Sequence, residues 1–207
     1  MPNVNTQVGP LNVTDGANII ARGGKQGDTI VSELHGRYYE TTYRGAMFSG
    51  AVVGATTSAG LATTATGLIL SNPLGSGVNV VVNKVGYSFI VAFAAAAAIG
   101  IATGFHAATA VVQTTPITPR PQLFNGSGTG KALLASAATL PVAPTVNTIF
   151  ASGLTGAITT LPHVANSIVD LEGAVILVPG AFAMLYTSTA SGAAGASASF
   201  SWEEVPA

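Results

Sequence analysis

The chain predicts an all-β fold, a sandwich or barrel set behind an extended N-terminal arm. Three features carry that prediction: short runs of β-branched and small residues, turn chemistry at nearly every break between them, and a drop in charge after residue 45. The 207 residues leave room for one domain of ordinary size, roughly 100–150 residues, together with an extension.

Charge marks the boundary. Asp, Glu, Lys and Arg make up 7% of the chain, where a globular domain carries about 25%. Eight of those residues, Asp15, Arg22, Lys25, Asp28, Glu33, Arg37, Glu40 and Arg44, fall in the first 45 positions. That asymmetry divides the chain into an arm, 1–45, and a β domain, 46–207. Within the arm, residues 33–40 concentrate charge and aromatic rings, as expected of an extended segment that grips a neighbour. Arg22, Arg37, Tyr38, Tyr39 and Arg44 are the candidate partner-binding anchors, because Arg and Tyr dominate interface energetics; the alternative is that they tuck into their own domain.

The strands follow from their punctuation. Residues 47–65 are rich in Ala but studded with Gly, Thr and Ser, which lowers helix propensity and predicts β or irregular chain. The run Leu68, Ile69, Leu70 stops at Asn72-Pro73, and Gly75 and Gly77 supply a turn. Residues 78–87 are apolar on both parities, which suits a central strand. Residues 89–105 lie in a stretch without charge that is long enough to span a membrane. Its centre is Ala, Gly and Thr and no positively charged flank follows, so two buried strands joined at the alanines are expected. Pro116, Pro119 and Pro121, then Gly126, Gly128 and Gly130, predict an irregular stretch and a flexible crossing loop. Residues 168–187 read as a strand, a tight turn at Pro179-Gly180 and a second strand. The last run alternates, with Ala196, Ala198, Phe200 and Trp202 on one face and serines on the other. Phe182, Tyr186, Phe200 and Trp202 are the candidates for core and subunit packing.

Several chemistries find no support. There is no Cys, which removes disulfides and thiolate metal sites. Net charge is -1 with no basic cluster, so neither nucleic acid nor an anionic membrane is an expected partner. Residues 1–7 lack a basic segment followed by an apolar one, which predicts synthesis and initial retention in a cytosol. Gly126 to Lys131 resembles a phosphate loop, but Asn125 stands where the first Gly is needed and Ala132 where Ser or Thr would hold magnesium. His35, His106 and His163 are far apart and read as turn or interface residues. Asp170 and Glu172 fit a turn, and no Gly-x-Ser-x-Gly elbow accompanies them. Glu203 and Glu204 are adjacent on a strand and face opposite ways, which predicts an exposed C-terminal cap instead of an acid/base pair. The expectation is a non-enzyme with no catalytic residue, no cofactor and no metal.

Five segments, LHGRYYE at 34–40, TYRG at 42–45, NPLGSGVNVVV at 72–82, IVDLEGAVILVPGAFAML at 168–185 and SFSWEEVP at 199–206, resemble a family of tailed-bacteriophage virion proteins. The resemblance spans nearly the whole chain. It implies a jelly-roll-like β-sandwich of the capsid decoration, or cement, type, often a homotrimer, made in the host cytoplasm and placed on the capsid exterior. The implied partners are other copies of the chain and the major capsid protein, with the arm lying on the shell and the sandwich standing above it. No catalytic residues come with it. The alternative function is a receptor-binding or fibre-tip module that recognises a host glycan or protein, since the same architecture serves adhesion. A virion hydrolase, the third possibility, would require clustered carboxylates or a nucleophile with a base.

Overall fold

A computed structural model describes residues 36–91, 93–124, 128–153 and 166–207. Arg22, His35 and His163 lie outside them, as do the first glycine and the asparagine of the phosphate-loop look-alike. Residues Glu40–Ala207 form one compact unit, and the residues up to Tyr39 belong to another.

The arm was expected to be extended up to residue 45, but Tyr39–Tyr43 form a single helical turn, α1. Glu40 and Arg44, four residues apart on that turn, meet at 2.8 Å, the spacing at which a helical acid and base face each other.

From there the chain is β. The strands are β1 (Met47–Ala55), β2 (Thr64–Ser71), β3 (Val78–Phe89), β4 (Ala97–Phe105), β5 (Val112–Ile117), β6 (Arg120–Pro121), β7 (Leu133–Thr139), β8 (Thr145–Gly153), β9 (Asn166–Leu177), β10 (Ala181–Thr187) and β11 (Ala196–Pro206). They build two antiparallel sheets, β6-β1-β11-β3-β9 and β5-β7-β2-β10-β4-β8, packed as a sandwich. With β5, β6 and β7 set aside as an insertion between β4 and β8, eight strands remain. They divide four and four, β1-β11-β3-β9 against β2-β10-β4-β8, which is the jelly-roll arrangement.

The alanine-rich stretch resolves into the end of β3 and the start of β4, joined through the alanines as expected. The prolines did not erase regular structure. Pro116 lies on β5 and Pro121 on β6, the outermost strands of their sheets, where a missing N–H need cost no ladder hydrogen bond.

The inner faces meet over Leu68, Leu70, Val80, Val82, Ile99, Ile101, Phe200 and Trp202, all fully buried. Trp202 stacks on Phe48 with ring centroids 6.3 Å apart. A second buried cluster, Ile69, Ala102, Ala135, Phe182 and Met184, takes the opposite parity on β2, β4, β7 and β10, so the second sheet is covered on both faces. Its cover consists of Leu61, Val111, Leu140 and Val142 from the connections between strands.

Strand, turn and strand at 168–187 are present, but β9 and β10 belong to different sheets, so Pro179-Gly180 carries the chain across the sandwich. The β2–β3 connection crosses at the same end. Buried Asn72 ties the two crossings together: its Nδ2 donates to Val78 O at 2.7 Å and to Leu177 O at 2.8 Å. Its backbone N–H donates to Ala181 O and its carbonyl accepts from Gly180 N. Gly180 has φ +92°, and a side chain there would strike His106 O at 2.5 Å, so the crossing requires glycine on two counts.

Candidate interaction surface

Along β11 the period-two pattern sends Ala196, Ala198, Phe200 and Trp202 inward. Ser197, Ser199 and Ser201 take the other parity, toward the outer side of the first sheet. β1 and β3 pair with β11 on either side, and β9 pairs with β3. Across the four strands, Ala51, Val53, Gly86, Ser88, Ile168 and Ser199 line an open groove of about 480 Å³. Its floor is made of small residues, and its lining carries no charged side chain. A side-chain carbon at Gly86 would lie 2.5 Å from Ser199 Oγ, so glycine is what keeps the floor level. Val53 and Ile168 stand above it, 83% and 75% exposed. A second opening, between β4, β8 and β9 at the Asn72 end, exposes Phe105, Ile176 and Val178.

Four of the five anchor candidates, Arg37, Tyr38, Tyr39 and Arg44, fall within the described residues. Arg37 places its guanidinium 5.6 Å from the centroid of the Tyr38 ring, a local cation–π contact. Tyr39 opens α1 and is exposed, and Arg44 is engaged with Glu40 at its end. Arg22 lies outside the described residues. Tyr43, 66% exposed on the same helical turn, and Phe124, 97% exposed between β6 and β7, were not singled out from the sequence. TYRG gave no signal that Tyr43 would stand on a helix, and Phe124 sits in a stretch read only for its prolines and glycines.

The packing candidates divide between two interiors. Phe200 and Trp202 lie between the sheets, whereas Phe182 lies in the cluster on the outer side of the second sheet, with half-buried Tyr186 packed against it. Phe182 is opposite Gly104 on β4, and a side chain at Gly104 would overlap its ring.

Three of the polar residues considered for catalysis, His106, Asp170 and Glu204, make structural hydrogen bonds. His106 Nδ1 accepts from the amides of Ala108 and Thr109 at 3.3 and 2.8 Å, which shapes the turn leading to Val111. Asp170 Oδ1 accepts from Glu172 N at 2.9 Å. That bond opens a bulge in β9, where residues 171–174 oppose Asn83 alone and Glu172 and Gly173 both take positive φ. Glu204 corrects the expectation of an exposed cap: its carboxylate accepts from the amides of Lys131 and Ala132 and from Trp202 Nε1. Among the described residues no group of three or more His, Cys, Asp or Glu is gathered as for a metal ion, and no helix is long and apolar enough to cross a membrane. Comparison with protein-family models, with curated proteins and with solved structures finds no match to this chain.

Proposed function

We propose that this chain is a virion structural protein, a trimeric decoration or cement protein that binds the assembled major-capsid lattice and stabilises it. The observation that carries this reading is the open face of the first sheet, a shallow groove of Ser, Ala and Gly with Val53 and Ile168 raised above it and no charge in its lining. Such a groove lets another backbone approach closely with no charged side chain of its lining to desolvate, while Lys84 and Asp170 lie farther along the same side of the sheet. The low overall charge supports the same reading, because it weakens the repulsion between copies. So does the resemblance of the arm and C-terminal motifs to phage virion proteins. In this reading Arg22, Arg37, Tyr38, Tyr39 and Arg44 supply the anchoring side chains of the arm.

A protein that binds the assembled lattice and not its free subunits stabilises the lattice through linkage. Repetition over many sites adds avidity to weak single contacts. The test compares complete particles with particles lacking this chain. Loss of heat and chelator resistance, together with a copy number in the hundreds, is the expected result. Equal resistance would overturn the shell-stabilising role, and about a dozen copies at a tail tip would favour receptor binding.

A further inference from the structure

The amides of Lys131 and Ala132, at the end of the segment that fails as a phosphate cradle, grip a carboxylate, and it is the chain's own Glu204. Glu204 Oε1 accepts from Lys131 N at 2.9 Å, from Ala132 N at 2.9 Å and from Trp202 Nε1 at 3.2 Å, and Oε2 accepts from Lys131 N at 2.8 Å. Converging amides of this kind form a concavity suited to a carboxylate. The same residue holds the root of the arm, since its backbone N–H donates to Ala46 O at 2.9 Å.

Residues 128–132 lie as a strap over that junction. A side-chain carbon at Gly130 would be 3.0 Å from Glu204 Oε1 and 3.2 Å from the Phe48 ring, and one at Gly128 would be 3.4 Å from Gly45 O. Phe48 in turn stacks on Trp202. One carboxylate thus fastens a strap whose underside rests on Gly45 and Phe48. Without it the Lys131 and Ala132 donors lose their acceptor, and the cover over 45–48 loses its fastening.

We propose that Glu204 is the pin of a latch joining the arm root to the glycine strap, so that residues 45–48 and 128–132 open together. Once the pin is removed, the amide pocket accepts a small free carboxylate in its place. The importance of the arm root rests on the proposed function of the arm, but the latch is a property of the isolated chain and can fail or hold independently of any lattice.

The test is native-state hydrogen exchange at single amides in the full chain, comparing wild type, Glu204→Ala and, as a control on the same strand, Glu203→Ala. In Glu204→Ala, exchange at Lys131, Ala132, Ala46 and residue 204 should accelerate in parallel, by about tenfold or more, while the control leaves all four unchanged. Formate should slow Lys131 and Ala132 again where chloride at equal ionic strength does not. The emission of Trp202, the single tryptophan of the chain, should move back with them. Acceleration confined to Lys131 and Ala132 would overturn the latch, as would no acceleration at all, and equal effects of formate and chloride would overturn the anion pocket. Should Glu204→Ala fail to fold, Glu204→Gln is judged by the four amides alone: parallel acceleration between wild type and tenfold is expected because one acceptor oxygen remains, and no acceleration, or one confined to Lys131 and Ala132, would overturn the latch.

Discussion

The outer sides of the two sheets are both built from antiparallel strands and have opposite fates. On the second sheet Ile69, Ala102, Phe182 and Met184 are buried beneath the connections that bring Leu61, Val111, Leu140 and Val142. On the first sheet Val53, Ile168, Ser197 and Ser199 remain accessible in an open groove. The difference lies in side-chain periodicity. β10 is AFAMLYT, apolar on both parities, which is stable only when both of its faces are covered. β11 alternates Ala or an aromatic residue with Ser, so the sandwich core satisfies one face and the other can remain open to water or to a partner. The contrast separates a face that holds the chain together from one that is free to hold something else.

The largest test of this contrast is Phe182→Ala. If the outer cluster of the second sheet is a true interior, the substitution should cost about 3–5 kcal/mol, measured by denaturant unfolding of the isolated chain. A cost near zero would mean that both outer sides behave as surface. Asn72→Ala acts on the end that the two sheets share. It strips Val78 O and Leu177 O of a buried donor, and a loss of roughly 2–4 kcal/mol is expected by the same measurement.

Thr57→Val tests how firmly the cover is attached. Buried Thr57 Oγ1 accepts from Ser191 N at 2.9 Å and from Thr187 Oγ1 at 2.7 Å, which pins the β1–β2 connection that carries Leu61. The nearly isosteric valine should lower stability by about 1–3 kcal/mol. In exchange measurements the outer amides of the second sheet should be deprotected while the open face of the first is unaffected. The smallest effect belongs to the open face, where Ile168→Ser should alter the stability of the isolated chain by no more than about 0.5 kcal/mol. A larger loss would show that this face is already covered within one chain, and the contrast would disappear.

Much of the sandwich was legible because strand periodicity is a local property. The alternation at 196–202, the two-sided apolar run at 78–87 and the break at the alanines all reappear as β11, β3 and the β3–β4 junction. Asp170 was legible too, since an aspartate two residues before its amide partner is a short-range turn device. The partner of Glu204 was not, because the accepting carboxylate and the Lys131 amide are 73 residues apart and nothing in either segment refers to the other. For the same reason the glycines at 128 and 130 suggested a flexible loop, whereas packing on Phe48 makes them a close-fitting strap.

What the sequence by itself determined is which residues alternate, where the chain must turn, and that charge is concentrated near the N-terminus, since each depends only on neighbours along the chain. Only the tertiary structure decided that Pro179-Gly180 crosses between sheets, that Phe182 belongs to a second interior, and that the serines of β11 line an open groove. Each of these depends on which distant strand or loop arrives to cover a face, and that choice is made by packing the whole sandwich at once.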